Sequence, residues 1–373
     1  MSDVEFSQQD LEFMTQAIAL AKQGRYTTTP NPNVGCVIAK DGAVIGEGYH
    51  IEAGGPHAEI HALAQAGSNA EGATAYVTLE PCSHYGRTPP CSEALIKAGV
   101  SRVVAAMVDP NPEVAGRGLK MLADAGIETA SGLLKQEAEA LNLGFLKRMR
   151  TGLPFVRCKL AASLDGKTAL SNGESKWITS SEARKEVQDI RAQSCVVLSG
   201  ADTVLIDDAK LNVRQSELNN PLAQQSNRQP VRVIIDSQNR LTPELVLFQQ
   251  ESKIIIARTE LDNSHAWPHF VEQIVIDSKN AKVDLSALMA ELGSRGFNLV
   301  LLEAGATLAG EMFSQNLVDE LVLFMAPKLM GNASKSLLNL PTFESMSQVP
   351  ELVMSEVKQI GQDICLTAQV KRI

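Results

Sequence analysis

The sequence predicts an α/β protein of two domains. A chain of 373 residues exceeds what one ordinary core organises. Apolar β-branched runs alternate with helix-periodic segments along most of it. The stretch Thr151-Gly152-Leu153-Pro154 interrupts that alternation with residues that stop a helix and open a strand. The division therefore falls between 1–150 and 151–373. Hydrophobic residues at 44% and charged residues at 21% are ordinary globular proportions, so disorder is not expected, and no internal repeat is present.

In the first domain, Leu11, Met14, Ile18 and Leu20-Ala21 make an apolar stripe that predicts a helix over 8–22, ended by Gly24. The turn cluster Asn31-Pro32-Asn33-Val34-Gly35 leads into Cys36-Val37-Ile38, and Asp41-Gly42 reverses the chain through Val44-Ile45, a hairpin. A helix from His57 to Gln65 follows the Gly54-Gly55-Pro56 loop, then a buried strand over 73–79. That strand runs into Glu80-Pro81-Cys82, which places Cys82 at a strand's carboxyl end, where ligand sites of open α/β sheets lie. Cys91 opens a helix to Ala98; a strand over 100–108, a helix over 116–125 and a single long helix over 133–150 complete the unit.

The second domain reads as a largely parallel sheet, with strands at 155–161, 195–198, 231–236, 254–257, 273–276 and 299–302 and helices between several of them. Segments 321–324 and 364–370 predict an antiparallel pair at the sheet edge. Thr179-Ser180-Ser181-Glu182 has the form of a capping box opening a helix to Gln193, with Arg191 in its last turn, where the helix dipole alone accounts for a cation. Gly200 to Asp208, followed by Leu211-Asn212-Val213-Arg214, reads as a long polar-flanked loop. The strand at 299–302 meets Glu303-Ala304-Gly305-Ala306-Thr307-Leu308-Ala309-Gly310, small residues that let a phosphate approach a helix N-terminus. Strand-glycine-helix junctions are common without ligands, and the chain contains no Gly-x-Gly-x-x-Gly. Trp177, one of two tryptophans, is by itself accounted for as a core anchor with its N–H paired.

The chemistry concentrates between His57 and Cys91. One imidazole and two thiolates supply three protein ligands for a tetrahedral zinc ion and leave its fourth position open to water, as a catalytic site requires. Zinc lowers the pKa of such a water toward ~7. Glu59, two residues after the first ligand, is the natural proton carrier. His57 with His61 forms a rival i, i+4 pair, but it lacks a Glu directly after the first His and leaves both cysteines idle. The arrangement has the logic of a nucleobase deaminase.

A formal charge of −9 argues against a broad polyanion-binding surface. Met1 to Asp10 is acidic and has no apolar core, so no secretory signal is expected, and no apolar run approaches the ~18 residues of a membrane span. Six unevenly spaced cysteines do not make a disulfide framework; Cys36, Cys158, Cys195 and Cys365 read as core, and a reducing cytoplasm is expected.

His57-Ala58-Glu59, Pro81-Cys82, the loop from His84 to Cys91, and the stretches 159–167 and 303–310 together resemble the bifunctional riboflavin-biosynthesis deaminase/reductase family over nearly the whole chain. The eight residues between the cysteines are the most specific feature, since tRNA adenosine and cytidine-type deaminases place two there. The resemblance implies a cytidine-deaminase-like α/β/α layer followed by a dihydrofolate-reductase-like α/β sheet. It implies zinc on His57, Cys82 and Cys91 with Glu59 catalytic, and Asn31, His50, His84 and Arg87 around the base or phosphate. It implies NADPH at Ala161, Trp177, Thr203, Asp207, Ser237 and Gly305, Ala306, Thr307, Leu308, Ala309 and Gly310. Ser175, Arg191, Leu211, Arg214 and Glu303 fall on the substrate side, with Lys159 and Asp207 as polar partners of the reacting sugar. The substrates are small pyrimidine ribotides, with no nucleic-acid or membrane partner, and the chain is expected to self-associate as a dimer or tetramer. Two rivals stand against this. A nucleic-acid base editor needs a basic, aromatic-studded groove, yet aromatics are 4%. A structural zinc site needs a fourth protein ligand, and none stands out.

Overall fold

The computed structural model describes residues 5–85, 89–111 and 115–371. The chain forms two compact units, Met1–Gly152 and Leu153–Ile373. Among the described residues no helix is long and apolar enough to cross a membrane.

The first unit opens with α1 (Gln8–Ala21), capped by Ser7: its Oγ accepts the Asp10 N–H while the Asp10 carboxylate accepts the Ser7 N–H. Met14, Ala17, Ile18 and Ala21 recur at helical spacing and are buried. The hairpin β1 (Gly35–Lys40) and β2 (Ala43–Tyr49) turns at Asp41 and Gly42, both at positive φ, as a two-residue turn between right-twisted strands requires. Then come α2 (Ala58–Ala66), β3 (Thr74–Val77), α3 (Cys91–Ala98), β4 (Arg102–Ala105), α4 (Arg117–Asp124), β5 (Glu128–Ser131), α5 (Lys135–Leu141) and α6 (Leu143–Thr151). The sheet order is β2-β1-β3-β4-β5, parallel from β3 to β5 and antiparallel at the hairpin end. Glu80-Pro81-Cys82 lies beyond the carboxyl end of β3, and Asp109-Pro110-Asn111 beyond that of β4.

Two elements differ from expectation. β5 is an edge strand whose only buried side chain is Ala130, so it carries no apolar run to reveal it. The long helix over 133–150 is broken at Asn142. This side chain accepts the Asn33 N–H at 2.7 Å and donates to the Asn33 carbonyl at 2.9 Å, while Asn33 Nδ2 donates to Leu141 O. The break thus fixes the turn at 31–33.

The second unit contains β6 (Phe155–Ser163), β7 (Lys167–Ala169), α7 (Ser181–Gln193), β8 (Val196–Gly200), α8 (Ala201–Asp207), α9 (Pro221–Gln224), β9 (Val231–Ile235), β10 (Ile254–Arg258) and β11 (Val271–Val275). The short strands β12 (Ser278–Lys279) and β13 (Lys282–Val283) precede α10 (Leu285–Ser294), β14 (Leu299–Leu302), α11 (Ala306–Ser314), β15 (Glu320–Ala326), β16 (Lys335–Ser336), β17 (Leu352–Ile360) and β18 (Asp363–Val370). Nine strands order as β11-β10-β9-β8-β14-β6-β15-β18-β17, parallel through β15 and antiparallel beyond. Both faces are covered, which is why its strands are continuous apolar runs. Leu198, Val300 and Leu302 pack on one side with Leu288 and Met312 of the helices, and Val197 and Leu301 pack on the other with Val187 and Ile190 of α7.

Here too the structure corrects the reading. The 321–324 and 364–370 segments do pair antiparallel, but the first is joined to β6 and the true edge is β17, largely exposed and without the apolar alternation that a buried strand needs. The stretch 200–208 is not a loop, because Ala201 and Val204 bury one face of a short helix. Helix α7 is capped by Ser180, not Thr179. Ser180 N and Oγ both donate to Asp363 at 2.7 Å, and its Oγ accepts the Ala183 N–H. Trp177 is no core anchor; it is 67% exposed at φ 65°, with the Arg184 guanidinium 4.3 Å from its ring centre.

Candidate active sites

In the first unit His57 caps α2, Cys82 follows β3 through Glu80-Pro81, and Cys91 begins α3. The His57 Nδ1 lies 3.3 Å from Cys91 Sγ and 3.6 Å from Cys82 Sγ, and the three ligand atoms fall within 4.8 Å of one another. The Cys91 N–H, first of its helix, points at Cys82 Sγ at 3.3 Å. Hydrogen bonds from Cys91 and His57 hold the Cys82 thiol well below its ordinary value, the direction a thiolate ligand needs. His61 is not part of this cluster.

Glu59 is buried in the first turn of α2, and its Oε2 has no partner. Burial pushes its carboxyl upward, the direction suited to a group that must hold a proton at neutral pH. A cavity of about 240 Å³ brings together His57, Glu59 and Cys82 with Asn31, His50 and His84. His50 donates from Nδ1 to the Pro56 carbonyl and accepts from Asn31 Nδ2 at Nε2, which fixes a neutral tautomer and leaves neither nitrogen for a metal. Arg87 lies outside the described residues.

The same cavity is lined by Glu80, Asp109, Asn111 and Phe145, which the sequence reading missed. One signal was present, since Asp109-Pro110-Asn111 follows β4 as Pro81-Cys82 follows β3. Burial raises the Asp109 carboxyl above its usual range. Gly118 fits under this wall because a Cβ there would stand 1.9 Å from the Pro81 carbonyl oxygen.

Among the described residues, two cavities of the second unit flank the start of α11. One, about 320 Å³, is lined by Lys159, Ala161, Arg191, Thr203, Asp207, Leu211, Glu303, Gly305 and Ala306. The other, about 440 Å³, is lined by Ser237, Thr307 and Leu308 among others. Ser175, Trp177, Arg214, Ala309 and Gly310 line neither. Ala309 is fully buried and its N–H already donates to Gly305 O, while a Cβ on Gly310 would meet the Asn339 carbonyl oxygen at 2.2 Å. These last two residues seat the helix.

The first of these cavities is built around a buried ion pair. Arg191 Nε and Nη2 donate to the two Glu303 oxygens at 2.5 and 2.9 Å, and Nη1 donates to Asn212 O at 2.9 Å. Burial opposes the Glu303 charge, but Arg191 outweighs it and holds the carboxyl below its usual range. Burial lowers the Lys159 ammonium, with Glu303 opposing. Burial likewise raises Asp207, with Lys176 and Lys335 opposing. Arg214 forks onto Glu217 at the surface, close enough to act electrostatically on Glu303.

Residues 7–107 match the family model for the cytidine and deoxycytidylate deaminase zinc-binding region, and 154–366 match the RibD C-terminal domain. The chain is 54% identical to the riboflavin biosynthesis protein RibD of Escherichia coli over 362 residues, covering 96% of this chain and 98% of that one. The solved structure of Acinetobacter baumannii RibD is similar with a TM-score of 0.90 at 46% identity, covering 98% and 99% of the two chains. A diaminohydroxyphosphoribosylaminopyrimidine deaminase/5-amino-6-(5-phosphoribosylamino)uracil reductase of Thermotoga maritima gives 0.86 at 33% identity, over 97% and 99%.

Proposed function

The chain belongs to the RibD family of bifunctional deaminase/reductases of riboflavin biosynthesis, and from that premise we propose that it acts twice on one ribotide. The first unit hydrolyses the ring amino group of 2,5-diamino-6-(5-phosphoribosylamino)pyrimidin-4(3H)-one. The second reduces the ribosyl group of the product with NADPH, giving 5-amino-6-(5-phosphoribitylamino)uracil. The observation that carries this is the clustering of His57, Cys82 and Cys91, with His57 and Cys82 lining one cavity together with Glu59.

The donor set fits zinc: two thiolates and an imidazole, no fourth protein ligand in the cluster among the described residues, and the orphaned Glu59 Oε2 where a water would sit. Zinc supplies the activation of that water. Glu59 takes the proton the water loses and passes it to the ring nitrogen, then carries the proton of the added hydroxyl to the amino group, which leaves as ammonia while the carbonyl forms. Asn31, His50 and His84 bound the base, and Asp109 and Asn111 line the same cavity.

For the reductase, the two cavities flank the α11 start, where the amides of Ala306, Thr307 and Leu308 would hold the phosphates of a dinucleotide. NADPH supplies the hydride. Lys159 would give a proton to the sugar's ring oxygen as the furanose opens, the exocyclic nitrogen would carry the resulting cation, and the hydride that a bound NADPH would supply would neutralise it at that carbon. Arg191, locked by Glu303 in the cavity, holds the ribose phosphate, with Arg214 at the surface adding its charge from outside the lining. Two thiolate ligands suit a reducing cytoplasm. Self-association as a dimer or tetramer is part of the same reading.

The test is a coupled assay of the zinc-loaded protein with the diaminopyrimidine ribotide and NADPH, following ammonia and nicotinamide absorbance together. Ammonia appears first and NADPH oxidation depends on it. Glu59→Gln retains zinc, releases no ammonia, and still oxidises NADPH when supplied with the deaminated ribotide. Failure of the unaltered protein to release ammonia from the ribotide sinks the substrate assignment.

A further inference from the structure

The hairpin β12–β13 places two lysines directly opposite each other. Lys279 pairs with Lys282 across a two-residue turn whose central residues, Asn280 and Ala281, stand at φ 53° and 58°. Like charges at facing positions of an antiparallel pair repel, and an alanine in the left-handed region is held there against its preference. Among the described residues neither ammonium has a carboxylate partner. Both line the cavity of about 440 Å³ beside the start of α11.

The acids on the same wall are engaged elsewhere. Asp202 accepts from Arg240 at 2.6 Å, Asp284 caps α10 through the Ser286 and Ala287 amides, and Glu311 accepts from Gln315. Ser237, two residues past β9, accepts the Val283 N–H through its Oγ at 3.0 Å, which ties the hairpin to the segment leaving the sheet and leaves the hydroxyl proton to donate. Two unpaired ammonium groups and a hydroxyl donor therefore share one rim of a cavity large enough for an adenosine.

We propose that Lys279 and Lys282, with Ser237, form the subsite that reads a phosphate monoester on the adenosine ribose, and so select NADPH over NADH. This rests on the reading that a nicotinamide dinucleotide occupies the second unit. The facing lysines repel in the empty hairpin and are both satisfied by one dianion. NADH brings no charge to that rim, so the lysines confer no affinity for it.

Calorimetric titration of the full-length protein with 2′,5′-ADP and with 5′-AMP separates the claims. The unaltered protein is expected to bind 2′,5′-ADP at least roughly tenfold more tightly, as charge-assisted bonds to a phosphate give, and the preference should shrink as salt is raised. Lys279→Ala with Lys282→Ala brings the ratio near one by weakening 2′,5′-ADP while 5′-AMP affinity holds, and the double arginine variant restores the preference. A ratio that survives the double alanine change, or no preference in the unaltered protein, overturns the assignment. If neither fragment binds or displaces NADPH, the dinucleotide reading itself fails.

Discussion

The Glu80 carboxylate accepts the Gly118 amide at 2.8 Å, joining the segment that delivers Cys82 to the start of α4. The same carboxylate accepts the amides of Leu119, Gly116 and Asp109, at 3.2, 2.9 and 3.1 Å. One buried side chain thus satisfies four main-chain donors and anchors both ends of the segment carrying Asp109 and Asn111. Glu80→Gln turns one oxygen into a donor that faces two donors. A loss of about 3 kcal/mol in unfolding free energy follows from charge-assisted bonds of this kind. The KM for the ribotide should rise while bound zinc, measured by elemental analysis, stays at one per chain. An unchanged denaturation midpoint sinks the idea.

The metal cluster was legible in sequence because the chemistry restricts residue type and because each ligand adjoins an element boundary: a helix cap at His57, a strand end before Cys82, a helix start at Cys91. Glu80 was invisible as an anchor because its partners are main-chain amides about 30 to 40 residues onward, which leave no pattern in side-chain identity. Asn142 breaks a helix by bonding Asn33, a contact across more than 100 residues that local periodicity does not contain. The exposed edge β17 has no buried face to write an alternation. Trp177 shows the limit of composition, since a tryptophan suggests a core and this one stands in solvent beside Arg184.

Glu303→Gln leaves the Arg191 guanidinium buried without its counter-charge, which costs about 3–5 kcal/mol in pairs of this kind. Replacing both residues with apolar ones of similar size should cost less than the sum of the single changes, the signature of coupling in a double-mutant cycle. The carboxylate also supports the Lys159 charge. Its removal lowers the Lys159 pKa further, so the alkaline limb of the reductase pH profile moves to lower pH. Kinetics with the deaminated ribotide measure that limb, and a limb that moves upward contradicts Lys159 as proton donor.

Acid tolerance of the first unit depends on Asp10. Burial pushes its carboxyl up, but Arg102 at 2.7 Å, Tyr76 at 2.7 Å and Ser7 outweigh that and hold it at about 2, below the ordinary 3.8. A folded value below the unfolded one means the ionised form is favoured by folding. The resulting stabilisation, about 2 kcal/mol, is complete above the unfolded pKa and disappears as pH falls from about 4 through 2. Asp10→Asn removes it at every pH, and also takes the counter-charge from Arg102, so the variant is less stable than the parent at pH 7 and the two converge toward pH 2. Urea denaturation of both proteins across that range measures the gap, and a gap that stays constant between pH 5 and pH 2 shows that Asp10 is not the group responsible.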